Sequence, residues 1–357
     1  MSYTKSEIKE KMTSKMREII ETFEEFGTPP LESVGPQAAR ELPTMTDAVF
    51  GVMSRHITKK MGGPIMPVGK VDHKVIPGGD GEILLRIYSP KGIGPFPVIV
   101  YFHGGGWVIA NLDTYDSSCR ALTDAAGMIV VSVAYREAPE HKYPLPQEDA
   151  YAAYKWIVEH TDSINGLRSE ITIAGESAGG NLATTVCLRA RDDRFQLPLH
   201  QLLIYPVTDL NSKRGSHQEY ANAMPLNQAM LDWFKKYYLS DVEAESALPL
   251  VSPMNAVLAG LPPTTIINAE LDPLCTDGEE YAMKLKEAGV EVEQMTYPGV
   301  THEFFGMAAL LPESREAISY AVERIKQFID FFDETEISPN DSSSSNKGHL
   351  DKWQGMA

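Results

Sequence analysis

The stretch that decides the fold is I-T-I-A-G-E-S-A-G-G-N, from Ile171 to Asn181. Its β-branched run at 171–174 predicts a buried strand, and the strong helix formers at 183–190 predict a helix. Ser177 would then lie at the apex of a sharp turn, which strains its backbone and requires small neighbours. The glycines two residues before and after it provide that room. Such a turn exposes the serine hydroxyl to a base and a substrate.

A glycine-rich turn or a phosphate-binding loop is the alternative for this stretch taken alone. A serine hydroxyl is a weak nucleophile, so it needs a base, a group that orients the base, and donors for an oxyanion. The rest of the chain contains candidates for all three, in the order oxyanion loop, serine, acid, histidine. This order favours a nucleophilic serine.

The candidate oxyanion loop is a run of three glycines, 104–106, that directly follows a predicted central strand. Adjacent glycines allow a loop to expose its backbone N–H groups to a cavity. We predict that the N–H groups of Gly104, Gly105 and Ala178 form an oxyanion hole. Ala178 would lie at a helix N-terminus, where the dipole also favours negative charge. A tight turn is the alternative, although it does not need three glycines.

An acid and a histidine complete a candidate catalytic triad. Asp272 follows a predicted strand, and a carboxylate just past the C-terminal end of a strand points into the crevice in which sites form. Of the nine histidines, His302 alone follows both the serine and this acid in a loop after a strand. Its ordinary pKa suits proton transfer, and Asp272 would hold its tautomer. Glu270 and Asp277 are alternative acids, although a surface position is the simpler expectation for both.

Composition limits the class of protein and its partners. The net charge of −17 argues against a nucleic-acid partner. Three widely separated cysteines predict buried free thiols in a reducing compartment. The N-terminus has no apolar core typical of a signal peptide, and no apolar run approaches membrane-spanning length. We therefore predict a cytoplasmic protein that binds neither nucleic acid nor membrane, with a homodimer left open.

From residue 69 onward, predicted strands and helices alternate along the chain. Alternation of this kind predicts an α/β fold with a mostly parallel sheet and helices on both faces, and an opening hairpin would add an antiparallel edge. The predicted strands are 70–76, 82–88, 98–102, 128–134, 171–174, 201–205, 265–269 and 292–297. The predicted helices among them are 116–126, 147–160, 178–191, 276–288 and 313–332.

Helical segments without strands precede and interrupt this alternation. An apolar stripe from Ile8 to Phe23 predicts an N-terminal helix, a second helix is predicted over 46–61, and an aromatic stripe from Leu226 to Tyr238 predicts an inserted one. These helices could be ordinary core packing or could roof a substrate pocket. The expected division is a helical segment at 1–66, a catalytic domain at 67–210 and 254–335, an inserted helical segment at 211–253, and a disordered serine-rich tail at 336–357.

Together these motifs resemble the hormone-sensitive-lipase-like family of esterases in the α/β-hydrolase superfamily. The matching positions are 103–107, 135–141, 175–180, 272–274 and His302. The resemblance covers residues 71–332. It implies an eight-stranded sheet, a helical cap built from the N-terminal residues and the insertion, and hydrolysis of short- to medium-chain acyl esters. Three residues depart from those usual in the family, namely Glu137, Lys142 and Glu176.

The sequence therefore predicts a carboxylic-ester hydrolase that needs no metal or organic cofactor. His302 would take the proton of Ser177, and Ser177 would attack the ester carbonyl. Trp107 and Tyr205 are predicted to contact this small acyl-ester substrate. The same mechanism on amide, lactone or N-formyl substrates is an alternative, because the triad serves any acyl transfer. A ligand receptor similar to the plant gibberellin receptors, which lack the catalytic histidine, is a second alternative, and the presence of His302 argues against it.

Overall fold

The computed structural model describes residues 2–56, 66–211, 213 and 215–329. Eight strands form one sheet at its centre. In chain order they are β1 (Lys70–Pro77), β2 (Glu82–Ser89), β3 (Phe96–Phe102), β4 (Ile129–Ala134), β5 (Gly166–Glu176), β6 (Gln201–Ile204), β7 (Thr264–Leu271) and β8 (Val292–Thr301).

The strands lie in the order β1-β2-β4-β3-β5-β6-β7-β8 across the sheet. The pairs β1–β2 and β2–β4 are antiparallel, and all other neighbours are parallel. The predicted mostly parallel sheet with an antiparallel edge is confirmed. Parallel strands bring their carboxyl ends to one edge, so the loops after β3, β5, β7 and β8 meet there.

Helices surround this sheet. In chain order they are α1 (Lys5–Lys11), α2 (Ser14–Glu25), α3 (Pro36–Ala39), α4 (Met45–His56), α5 (Asp116–Ala126), α6 (Leu145–Glu159), α7 (Ala178–Asp192), α8 (Gly215–Glu219), α9 (Gln228–Tyr238), α10 (Val242–Glu245), α11 (Cys275–Glu287) and α12 (Pro312–Lys326). Short 3₁₀ segments lie at Leu31–Ser33, Thr161–Ile164, Pro253–Asn255 and Phe304–Met307.

The sheet has a hydrophobic core on each face, because side chains alternate along a strand with a period of two. In β3, Val98 and Val100 pack with α6, α7 and α11 on one face, whereas Ile99 and Tyr101 pack with α2, α4, α5 and α12 on the other. Burial on both faces explains why the central strands are continuous apolar runs in the sequence.

The predicted N-terminal helix is in fact two helices. Thr4 caps α1 through a capping box, but the chain leaves the helical conformation at Met12. The side chain of Thr13 caps α2 at the N–H of Met16, and its own N–H donates to the carbonyl oxygen of Gly299 at 2.9 Å. This contact with β8 imposes the break, so the periodicity of the local sequence does not show it.

Three predicted boundaries reach beyond the described residues. The helix predicted at 46–61 is α4, and its stretch from residue 57 lies outside them. The helix predicted at 313–332 is α12, which ends at Lys326, and residues from 330 lie outside. The predicted tail at 336–357 also lies outside the described residues.

The N-terminal and inserted segments contact each other beside the carboxyl edge of the sheet. The indole N–H of Trp233 in α9 donates to the carbonyl oxygen of Val34 at 3.0 Å. The N–H of Tyr3 donates to the carbonyl oxygen of Glu219 at 2.9 Å. These bonds join two regions of the chain that are about two hundred residues apart in sequence.

The structure shows the state of the cysteines and the character of the helices. All three cysteines are buried as free thiols, as predicted. Within the part of the chain that the structure describes, no helix combines the length and the apolar character needed to cross a bilayer. The core therefore owes its stability to packing and hydrogen bonds and not to disulfide bonds.

Candidate active site

Ser177 lies between β5, which ends at Glu176, and α7, which begins at Ala178. Its φ of 55° and ψ of −118° lie outside the regions that residues with side chains ordinarily occupy. A Cβ atom on Gly179 would lie 2.0 Å from the carbonyl oxygen of Phe102. Only glycine therefore allows the turn to pass so close to β3, and the turn holds the serine in its strained geometry.

His302 and Asp272 form a hydrogen-bonded pair at the same edge of the sheet. Asp272 directly follows β7 and His302 directly follows β8. Nδ1 of His302 lies 2.6 Å from Oδ2 of Asp272, and the N–H of Leu274 donates to Oδ1 at 2.9 Å. A carboxylate accepts hydrogen bonds, so Nδ1 carries the hydrogen and Nε2 is left to accept a proton.

Ser177 and His302 line one cavity of about 820 Å³. Residues of the N-terminal and inserted segments form much of its wall, and they include Pro29, Leu31, Met45, Leu226, Met230 and Phe234. A second cavity of about 460 Å³ also reaches Ser177. The serine therefore lies where two cavities meet, with access to substrate groups on either side.

The surroundings of His302 raise its pKa above the ordinary histidine value. Burial lowers this pKa, but the charge and hydrogen bond of Asp272, together with the charges of Glu303 and Glu176, outweigh burial. An imidazolium at this position would therefore be stabilised by the carboxylates around it. Such an arrangement would suit a general base, because a general base must hold a proton for a short time.

The glycine loop after β3 presents free backbone donors. Within the described residues, the N–H groups of Gly104, Gly105 and Ala178 make no hydrogen bond. His103 stabilises the loop, because its ring stacks on Tyr135 at 4.4 Å and its Nδ1 donates to the carbonyl oxygen of Gly104 at 2.9 Å. Burial lowers the pKa of His103 to about 4, which favours the neutral ring.

The two residues predicted to contact substrate lie in different surroundings. Trp107 lines the second cavity, but it is only 2% exposed because its ring stacks on Tyr238 at 4.1 Å. Tyr205 is fully buried, its hydroxyl donates to Glu176, and its ring centroid lies 4.4 Å from that of His302. Tyr205 therefore lies behind the histidine. Its contact with substrate stays a prediction, and this buried position does not favour it.

Glu176 is a site residue whose role sequence analysis missed. It is fully buried, and the hydroxyl of Tyr101 donates to its Oε1 at 2.5 Å while that of Tyr205 donates to its Oε2. Burial, followed by the charge of Glu303, raises its pKa to about 7. Its place beside Ser177 was the available signal. Its partners Tyr101, in β3, and Tyr205, just after β6, are distant in sequence and are visible only in the structure.

The alternative acids have other partners. Oε2 of Glu270 accepts the N–H of Gly299 at 2.7 Å. Asp277 is fully buried with its Oδ1 3.0 Å from Nε2 of His217, so the expected surface position is wrong for it. Its helix α11 turns it inward, where the histidine of α8 pairs with it. Among residues 2–56, 66–211, 213 and 215–329, no group of three or more His, Cys, Asp or Glu side chains could hold a metal ion.

Known proteins show the same fold and related sequences. The α/β hydrolase fold family matches residues 99–306. The chain is 41% identical to the carboxylic ester hydrolase LipN of Mycobacterium tuberculosis over 72% of this chain and 69% of that protein. It is 35% identical to an ethyl acetate hydrolase of Pseudomonas putida, over 70% of this chain and 80% of that protein.

Solved structures agree with these sequence matches. An esterase of Pyrobaculum calidifontis superposes with a TM-score of 0.76 at 37% identity, covering 83% of this chain and 94% of that one. A thermostable esterase of Pseudomonas putida superposes with a TM-score of 0.80 at 30% identity, covering 90% and 98%. By its sequence, its sheet and its glycine-flanked serine, the chain belongs to the hormone-sensitive-lipase-like esterases of the α/β-hydrolase superfamily.

Proposed function

We propose that this protein hydrolyses carboxylic esters of short to medium acyl chains through an acyl-enzyme on Ser177. The observation that carries the proposal is the His302–Asp272 pair, which shares a cavity with a serine held in strained backbone geometry. The related esterases support ester hydrolysis as the reaction. A receptor would need neither the strained serine nor the buried histidine–carboxylate pair.

The first half of the proposed reaction forms the acyl-enzyme. Nε2 of His302 takes the hydroxyl proton of Ser177 while Oγ bonds to the ester carbonyl carbon. The carbonyl oxygen becomes an oxyanion, which accepts hydrogen bonds from the free N–H groups of Gly104, Gly105 and Ala178. The bond from the carbonyl carbon to the alcohol oxygen then breaks, and the alcohol leaves with the proton that His302 held.

The second half regenerates the enzyme. Nε2 of His302 takes a proton from a water molecule, and the water oxygen bonds to the acyl carbon. The same donors stabilise the second oxyanion, and the bond to Oγ of Ser177 breaks as His302 returns the proton to it. The carboxylic acid leaves. Asp272 keeps His302 in the required tautomer in both halves and stabilises its cation.

The wall of the cavity supports the proposed limit on acyl chain length. Residues 28–31 and 40–46 of the N-terminal segment, and 224–227 of the insertion, line the space above Ser177. We propose that these residues act as a cap. The cavity of about 820 Å³ has room for a small ester, and this wall bounds the space that the acyl chain can occupy. The same site chemistry serves amides and lactones, so those substrates belong in the test.

A panel of para-nitrophenyl esters tests this proposal. We expect kcat/KM to rise from the acetyl ester to a short or medium acyl chain, because each buried methylene contributes about 0.8 kcal/mol. Longer chains should then react much more slowly, because the cavity is full. Rates are measured from acetyl to palmitoyl below the solubility limit, beside matched anilides and lactones. A rate that climbs steadily to palmitoyl, or a preference for anilides, would contradict the proposed substrate class.

The pH dependence of kcat/KM should show one essential base. His302 acts when neutral, and its raised pKa keeps it protonated to a higher pH than an ordinary histidine. Activity should therefore be low in acid and rise through a midpoint above about 6.5. Glu176 also titrates near neutrality, so the profile of E176Q is the control. A flat profile for stable protein, or loss of the ionisation in E176Q, would contradict the role of His302.

A further inference from the structure

Glu303, the residue after the proposed base, has an unusual backbone conformation. Its φ is 71° and its ψ is 0°, in the left-handed region that glutamate rarely adopts. Its side chain lines the larger cavity beside Ser177 and His302. Strain of this kind persists where the surrounding structure fixes the residue, and such residues are frequent at active sites.

The carboxylate of Glu303 is held by a residue from a distant region of the chain. The hydroxyl of Tyr115, just before α5, donates to Oε1 of Glu303 at 2.6 Å. The same hydroxyl packs against the oxyanion loop, since a Cβ atom on Gly104 would lie 2.2 Å from it. One hydroxyl group therefore contacts both the loop that carries the proposed base and the loop that carries the proposed oxyanion donors.

We infer that Glu303 is a positioning residue which, through the hydroxyl of Tyr115, fixes the glycine loop at Gly104 relative to His302. This inference rests on the proposed function, because it assigns a task to the base and the oxyanion donors. The donors must face the position where negative charge develops, and a displacement of about 1 Å can cost a hundredfold in rate. A short hydrogen bond to a carboxylate is strong enough to hold the loop.

Glu303 also acts on the base by its charge. The groups that face His302 are Asp272, Glu303 and Glu176, and all three raise its pKa. The groups that face Glu303 are His302, Tyr115, Asp272, Glu176 and Tyr205. Burial is the largest effect on Glu303 and raises its own pKa, whereas His302 and Tyr115 favour its ionised form. Removing the charge of Glu303 should therefore lower the pKa of His302.

The test compares Y115F and E303G with the unchanged protein. Y115F removes the donor, and E303G removes the acceptor while relieving the left-handed strain. Each variant should lower kcat by between about tenfold and a hundredfold, with little change in KM, because the donors shift in the transition state. The double variant should lose no more than the worse single variant, since both changes break one connection.

E303Q separates position from charge. Its amide oxygen can accept the hydrogen bond of Tyr115, so E303Q should recover most of the kcat that E303G loses. Because it carries no charge, the midpoint of its kcat/KM profile should move to lower pH. That of Y115F should move less, because Glu303 keeps its carboxylate and loses only one of the groups that favour its ionised form. If Glu303 had only a structural role, E303Q would keep the wild-type pH midpoint, and its kcat would be no higher than that of E303G.

Y88F is the matched control, because Tyr88 also donates from a tyrosine hydroxyl to a carboxylate, that of Asp116 in α5, at 2.8 Å. It should leave kcat and the pH midpoint unchanged. Wild-type kcat in Y115F and E303G, losses that multiply in the double variant, or losses confined to KM would each overturn the inference. Melting temperatures identify any variant that fails to fold. If E303G fails to fold, the comparison of Y115F with E303Q tests the inference in its place. Activity in S177A would overturn the proposed function instead.

Discussion

Ser177→Ala should lower kcat for the preferred ester by about 10⁴-fold or more, because no other group in the site can form the acyl-enzyme. The fold should survive, since alanine keeps the Cβ atom that the strained turn already holds and removes only the hydroxyl oxygen. His302→Ala should have a comparable effect. Changing both should cost little more than either change, because the two residues act as a unit.

The control for this prediction is Ser314→Ala. Ser314 is fully buried in α12, where its hydroxyl donates to the carbonyl oxygen of Phe305 at 2.6 Å. This variant should keep its activity. Circular dichroism and thermal unfolding check that each protein is folded before rates are compared. Near-wild-type turnover by folded S177A would contradict the assignment of the nucleophile.

Asp272→Asn should lower kcat by about 10⁴-fold without disturbing the fold. The amide oxygen can still accept the N–H of Leu274, which turns the amide N–H₂ toward Nδ1 of His302. That nitrogen must then accept, so the hydrogen moves to Nε2 and the ring can no longer take the serine proton. The loss corresponds to about 5.4 kcal/mol of transition-state stabilisation.

Asp277→Asn is the matched control, because Asp277 is the other fully buried aspartate that contacts a histidine, His217. The pair lies between α8 and α11, and His302 is hydrogen-bonded to Asp272 instead. D277N should therefore keep kcat within about tenfold of the unchanged protein. Similar losses in D272N and D277N, or a larger loss in D277N, would show that Asp272 is not the orienting acid.

The local features of the site could be predicted from the sequence. The turn around Ser177 is specified by consecutive residues, namely a β-branched strand, two flanking glycines and a helix. The sheet follows from repeated strand–helix alternation, which needs no knowledge of long-range contacts. Asp272 and His302 could be chosen because each directly follows a strand, and the carboxyl ends of parallel strands meet at one edge of a sheet.

The contacts that surround the proposed triad could not be predicted in this way. Tyr115 and Glu303 are 188 residues apart, and nothing in either local sequence indicates that they meet. Tyr205 ends a predicted strand, so a place in the pocket was a reasonable hypothesis. Its side chain instead donates to Glu176. Tyr205 lies just past the end of β6 with a φ of 35°, so the pleat of the strand does not predict where its side chain points.

Helix boundaries show the same limit. The apolar stripe from Ile8 to Phe23 is continuous in the sequence, but the helix is interrupted near Thr13. There the backbone N–H of Thr13 bonds to Gly299 and not to a carbonyl of the same helix. A contact with β8, which is far from Thr13 in sequence, thus overrides a local helical pattern. Sequence periodicity reports which face is buried and does not report what that face meets.

The most direct test of the central claim, an acyl-enzyme on Ser177 formed by the base His302, is covalent labelling with diethyl 4-nitrophenyl phosphate. The oxygen of Ser177 should bond to phosphorus as 4-nitrophenolate leaves, with the hydroxyl proton passing to His302. We expect one diethylphosphoryl group per chain on the peptide that contains Ser177, loss of activity in proportion to labelling, no label in S177A and much slower labelling in H302A. A label on another residue that tracks the loss of activity, or full esterase activity after complete labelling of Ser177, would contradict the claim.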